Sequence, residues 1–184
     1  MAFEIGLFDD RLHAEAAIER LHQAGFTNDQ ISLVSKDKLT GDDQAAIYDN
    51  QTSDIGGVVG LVGGFFLGAA AGAVVLAIPG IGPAIATGVI GTVLATMVGG
   101  AAGATAGAVA GVKLAPALMD SLGVVEDDAD FLVEAIRRDG VVLAVEVDPV
   151  QQAQVAEIMR HSQAVKVKDR RQQYELEGWE RFPE

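Results

Sequence analysis

The chain has 184 residues, a formal net charge of −13 and no cysteine, which leaves room for one or two small domains. Disulfides, thiol nucleophiles and cysteine-based metal sites are excluded, and so strong an acidic balance disfavours nucleic acid as a partner.

Residues 1–10 lack the basic start and long apolar run of a signal peptide, so a cleaved export signal is not expected. Phe3, Ile5 and Leu7 alternate with Glu4 and Gly6, which predicts a half-buried strand. Asp9 and Asp10 offer N-caps for a helix of about 14 residues, on which Ala14, Ala17, Ile18 and Leu21 recur at helical spacing until Gly25 stops it. After a turn at Thr27-Asn28-Asp29, Ile31 and Leu33 with Ser32 and Val34 predict a second strand, so residues 1–38 read as β-α-β. Residues 39–54 are polar, carry Gly41-Asp42-Asp43 and Asp49-Asn50-Gln51, and read as a linker.

The stretch 55–112 contains no Asp, Glu, Lys, Arg or His and holds 16 of the 22 glycines. Pro79-Gly80-Ile81-Gly82-Pro83 cannot continue a helix and divides the stretch into two arms, predicting a helical hairpin with its turn at 79–83. Glycine recurs every fourth residue at Gly56, Gly60, Gly64, Gly68 and Gly72 in the first arm. The second arm repeats the step at Gly91, Ala95, Gly99, Gly103, Gly107 and Gly111. On helices these positions form two stripes without side chains, a glycine zipper along which another helix can approach closely. Interior glycine costs roughly 0.8–1 kcal/mol against alanine in an exposed helix, so such arms require packing partners.

The first arm, 55–78, would extend about 36 Å as a helix against a hydrocarbon core of about 30 Å. The leading expectation is therefore insertion in the cytoplasmic membrane with self-association, the bilayer and other copies of the chain being the partners. Lys36, Lys38 and Lys113 are the few nearby basic residues, and the uncharged turn is the easier end to translocate, which leaves both termini cytoplasmic. Residues 99–111 are nearly all Ala and Gly, with Val109 the one large side chain, and this weakens the second arm as a span. The alternative is a soluble, cytoplasmic homo-oligomer whose hairpins bury one another in an assembly core.

Beyond the hairpin, Pro116 bends the chain before a short amphipathic piece around Leu118, Met119 and Leu122, ending at Gly123. Asp127 and Asp128 suit the first turn of a further helix with an apolar face of Phe131, Leu132, Ala135 and Ile136. Arg137 and Arg138 suit its last turn, and Gly140 closes it. Residues 141–147 are the strongest strand signal, with burial on both faces expected near their start. Asp148-Pro149 reads as a helix start, followed by Val150, Ala153, Ala156, Ile158 and Met159. Residues 164–168 alternate as a last strand. The charged tail, 170–184, carries Tyr174, Trp179 and Phe182, which suit docking on the domain.

Residues 1–38 and the second half of 113–169 thus follow one plan of strand, acidic cap, helix and strand. Two such units predict an α+β domain with a ferredoxin-like duplicated β-α-β sheet, four antiparallel strands with helices on one face, interrupted by the glycine-zipper hairpin and one extra helix. Four segments carry a family resemblance: Ala77-Ile78-Pro79-Gly80-Ile81-Gly82-Pro83, the second glycine ladder, Arg137-Arg138-Asp139-Gly140-Val141-Val142-Leu143-Ala144-Val145, and Gly178-Trp179-Glu180-Arg181-Phe182. In these the chain resembles the bacterial general stress and low-temperature-induced proteins, whose α+β domain carries a glycine-rich apolar insert. The resemblance runs over most of the chain and implies stress association with a membrane or self-assembly role; it supplies no catalytic residues.

Nothing in the residues argues for an enzyme or a cofactor. His13 and His22 are nine positions apart and do not share one helix face, and His161 stands elsewhere, so no metal site is predicted. Asp9-Asp10, Asp42-Asp43 and Asp127-Asp128 read as caps and solvated loops rather than paired catalytic acids. The glycine step fits neither a dinucleotide fingerprint nor a phosphate loop, each of which needs a strand before and a helix after it. A third reading, a small-ligand sensor using the sheet face or a dimer interface, stays open because fold does not choose function.

Overall fold

A computed structural model of the chain describes residues 2–36, 74–78, 81–97 and 114–180. Their elements in chain order are β1 (Ala2–Phe8), α1 (Arg11–Gln23), β2 (Ile31–Lys36), β3 (Val74–Ile78), β4 (Gly82–Ala86), α2 (Gly88–Met97), α3 (Leu114–Leu122), α4 (Glu126–Arg137), β5 (Val141–Val147), α5 (Gln152–His161) and α6 (Val167–Leu176). The fold is mixed α and β, with one antiparallel sheet ordered β1-β5-β2-β4-β3. β5 lies centrally, paired with β1 from Ala2↔Val147 to Phe8↔Val141 and with β2 from Ile31↔Val145 to Ser35↔Val141. Residues Val141 to Val145 are all buried, which is why this segment is a near-continuous apolar run.

Strand alternation divides the core into two layers. On one face Phe8, Ile31, Leu33, Val141, Leu143, Val145 and Val147 pack under α1 (Ala14, Ala17, Ile18, Leu21) and α5 (Val155, Met159). On the other, Leu7, Val34, Ala84, Ala86, Val142 and Ala144 pack under α2, α3, α4 and α6. The helices therefore cover both faces, whereas the sequence predicted one. Most of the second layer comes from the segments that interrupt the two halves, so the extra elements are part of the core. Ile90, Leu94, Leu118 and Phe131 in it are fully buried, and each contributes roughly 1.5–3 kcal/mol.

Local signals account for most termini. The Asp10 carboxylate accepts the His13 N–H at 3.0 Å and caps α1. Glu126, Asp127 and Asp128 fill the first turn of α4, and Asp139 takes the left-handed conformation (φ 70°) after its end. α5 begins at Gln152, later than Asp148-Pro149 predicted, because 148–151 form a separate turn closed by Gln151 N–H to Asp148 O at 2.9 Å. The predicted strand at 164–168 reduces to a single bridge, Leu7↔Val165, and the charged tail continues as α6.

The largest correction concerns the apolar stretch. Residues 74–78 and 82–86, on either side of the predicted turn, are strands paired from Val74↔Ala86 to Ile78↔Gly82, so the hairpin is β rather than helical there. Gly82 and Pro83 belong to β4. Among the described residues β2–β4 pairing runs from Val34↔Ala86 to Lys36↔Ala84, and Pro83, which has no N–H to donate, falls beyond it. Of the second arm, α2 is 10 residues long, about 15 Å and half of what a membrane crossing needs. Among the described residues no helix is long and apolar enough to cross a membrane. The reading of a transmembrane hairpin that inserts in the cytoplasmic membrane is overturned by these findings.

Candidate functional site

Of the predicted self-association positions, Gly91 and Ala95 lie one turn apart on α2, and Gly91 is buried. Gly56, Gly60, Gly64, Gly68, Gly72, Gly99, Gly103, Gly107 and Gly111, with Pro79 and Gly80 of the turn, lie outside the described residues, as do the linker 39–54 and Phe182. The glycine-rich stretch is nevertheless visible where it enters the domain, at the junction of β4 and α2.

That junction is knitted to β2 by three polar contacts, and a fourth closes the first turn of α2. Thr87 donates its N–H to Leu33 O at 2.8 Å, and its hydroxyl accepts the Leu33 N–H at 3.1 Å, so Thr87 replaces one rung of the ladder. The Ser32 hydroxyl accepts the Val89 N–H at 2.9 Å, capping α2 from a strand far away in sequence, and the Thr92 hydroxyl donates to Gly88 O at 3.0 Å. Ser32 and Thr87 are buried, so these bonds satisfy groups that water cannot reach. Between them Gly88 has φ +64°, and a Cβ there would stand 2.5 Å from both Ile31 O and Ser32 Oγ. Only glycine permits this conformation and this approach together. Sequence reading had counted Gly88 as part of the glycine-rich stretch without a role, since it stands off the four-residue step.

A second cluster joins α4 to α6. Glu134 is completely buried, yet accepts from Arg137 Nε at 2.7 Å, Arg137 Nη2 at 2.8 Å and Arg138 Nε at 2.5 Å. Burial pushes the Glu134 carboxyl up, but the hydrogen bonds from Arg137 and Arg138 outweigh it and hold the group below its ordinary range. Arg138 also pairs with Glu177 and lies 4.2 Å over the Tyr174 ring. Arg170 reaches Asp9 at 2.6 Å, Arg171 pairs with Asp128, and the Phe131 ring packs tilted on Tyr174 and edge-on to Trp179, with centroids 5.8 and 6.2 Å away. This is a clasp: three cross-element ion pairs around one buried tyrosine fix α6 on the domain. Sequence reading gave Arg137 and Arg138 a helix-end role and missed Glu134, although its i+3 and i+4 spacing to two arginines was the available signal.

The histidines do not converge. His13 Nδ1 meets Asp10 at 2.8 Å, His22 Nε2 meets Asn28 at 2.7 Å and His161 Nδ1 meets Glu157 O at 2.9 Å. No group of three or more metal-ligating side chains occurs among the described residues. An open groove of about 510 Å³ between α1 and α5 is lined by Arg20, Gln23, Glu157, Ile158 and His161. Its charged groups are engaged internally, Arg20 with Ser162 at 2.7 Å and Glu157 with Arg160 at 2.5 Å. It offers solvated side chains rather than a set of groups aimed at one ligand.

Comparison of the chain with models of protein families, with curated proteins and with solved structures found no match.

Proposed function

We propose that the chain is a non-enzymatic, stress-associated structural protein that assembles into homo-oligomers through its small-residue stripes, with the α+β domain serving as the rigid body that carries them. The stress context rests on the resemblance of residues 77–83, 137–145 and 178–182. The observation that carries the assembly reading is the four-residue step of small residues, and Gly88 supports it by showing, within one chain, that the stretch admits an approach of 2.5 Å from a would-be Cβ to Ile31 O. The regular step from Gly56 to Gly72 and from Gly91 to Gly111, to which Gly88 does not belong, offers side-chain-free positions in greater number than one small domain needs for its own packing. We further propose that the domain is a ferredoxin-like duplication: with the Val165 bridge outside β1, the strand order reads Val165, β1, β5, β2, and α1 and α5 share one face. β3 and β4 then extend this sheet beyond β2.

Size exclusion with light scattering on the full chain tests the proposal. The natural chain should elute as a multiple of 19.1 kDa, and Gly64→Leu or Gly103→Leu should shift it toward the single chain. A natural chain that is monomeric, or an oligomer unchanged by both substitutions, would remove the basis of the reading.

A further inference from the structure

The two edges of the sheet differ in how they treat a second copy. At β1, Val165 donates its N–H to Leu7 O at 2.6 Å, so by alternation Phe3 and Ile5 also direct their backbone groups outward. A second β1 laid antiparallel on Phe3 and Ile5 would bring two Glu4 residues directly opposite, a like-charge pair that blunts the edge. Gln152 Nε2 donates to Glu4 at 3.0 Å on the side of α5.

β3 forms the opposite edge among the described residues. The Thr87 N–H points at β2, so alternation turns Gly82, Ala84 and Ala86 toward β3, where they pair with Ile78, Leu76 and Val74. Val75 and Ala77 therefore direct their N–H and C=O groups away from the sheet. The segment Val-Val-Leu-Ala-Ile holds no charge, proline or glycine, which are the usual protections of an edge. It is also its own complement: an antiparallel copy centred on Leu76 pairs Val75 with Ala77 twice and forms about four inter-chain hydrogen bonds. A chain of net charge −13 repels itself broadly, so contact through an uncharged strand is the approach that costs least.

The geometry points to β3 as a docking edge for the β3 of a second copy, joining two five-stranded sheets into one across a twofold axis at Leu76. This inference rests on the self-association proposed above and names a contact distinct from the glycine stripes. It adds that salt strengthens the contact, by screening the repulsion between acidic copies.

The test uses the full chain. Val75→Pro removes one outward N–H per copy and leaves the β3–β4 rungs intact, so dimer dissociation should rise about a hundredfold, roughly tenfold for each of the two symmetry-related bonds lost. Because proline can also disturb β3, hydrogen exchange on the natural chain supplies an independent measurement. The Val75 and Ala77 amides should be protected in the oligomer and lose protection on dilution, while those of Val74, Leu76 and Ile78 stay protected throughout. Protection of Val75 and Ala77 that ignores concentration would show the edge covered by the same chain, and fast exchange in the oligomer would show it uncovered; either overturns the inference. An oligomer lost in Gly103→Leu but unchanged in Val75→Pro also overturns it while sparing the glycine reading. A natural chain that is monomeric at all concentrations and salt levels overturns both.

Discussion

Glu134→Gln asks whether the clasp under α6 stabilises the fold or merely breaks even against the burial of its charge. The carboxylate side chain is 0 % exposed, whereas those of Arg137 and Arg138 retain 47 % and 30 % exposure. Its three hydrogen bonds span 2.5–2.8 Å. Bonds to charged groups contribute roughly 1.5–3 kcal/mol each, but solvent reaches both guanidinium groups and discounts this by about half or more. Glutamine keeps the volume and one acceptor oxygen, so the expected loss is about 2 kcal/mol at neutral pH. Arg138 retains Glu177 and the Tyr174 ring, which keeps the loss from growing larger.

The pH dependence separates this charge effect from simple repacking. Glu134 is held below its ordinary value of 4.5 in the folded chain, so between the folded and unfolded values the unfolded chain binds more protons. Its stabilising contribution is thus fully present above about pH 4.5 and is lost as pH falls through the folded value. Urea unfolding followed by the fluorescence of Trp179, the single tryptophan, reads the clasp directly because that ring packs 6.2 Å from Phe131. The difference between natural chain and variant should be constant from about pH 8 to 5 and shrink below pH 4.5. Equal midpoints at pH 7, or a difference indifferent to acid, would refute the reasoning and leave desolvation as the equal of the ion pairs.

Gly88→Ala and Gly123→Ala share a left-handed backbone, φ +64° and +67°, but a Cβ at position 123 meets nothing within 4 Å. Gly123→Ala should cost about 1 kcal/mol, and Gly88→Ala distinctly more, about 2–4 kcal/mol, because the backbone of β2 must move; equal melting shifts would deny the close approach. Tyr174→Ala empties the space between Phe131 and the guanidinium groups of Arg138 and Arg170, so it should cost about 3–4 kcal/mol. It should also speed tryptic cleavage at Lys168, Arg170 and Arg171, and cleavage at the natural rate would mean that α6 is held by something other than the clasp.

Where alternation and helical spacing were both present, the sequence was legible. Ala14, Ala17, Ile18 and Leu21 mark the buried face of α1, and Phe131, Leu132, Ala135 and Ile136 that of α4. The apolar stretch was misread because a short uncharged run satisfies helix and strand templates alike. The β-branched residues Val74, Val75 and Ile78 were the deciding cue, set against a proline-glycine turn that serves either kind of hairpin. Ser32 and Thr87 were invisible for a different reason: their hydroxyls act between segments 54 and 57 residues apart, beyond any local window. Tyr174 and Trp179 marked the tail as a segment that docks, but its helical form escaped because Val167 and Tyr174 face the core through an otherwise charged helix held by ion pairs with Asp9, Asp128 and Arg138.

The position of the insert bears on how assembly must be probed. β4 covers the outer edge of β2, and Ile90 and Leu94 of α2 lie in the same core as Val34, Val142 and Ala144. Excising the glycine-rich stretch would remove β3, β4 and α2, leaving β2 as a bare edge and Ile90 and Leu94 missing from that layer, and the product would associate through newly uncovered surface. A deletion could then form large particles for reasons unrelated to the stripes. Single substitutions at Gly64, Gly103 or Val75 leave this layer's buried side chains in place. An altered oligomer in such a variant that keeps the natural melting behaviour therefore speaks to the contact between copies rather than to the integrity of each one.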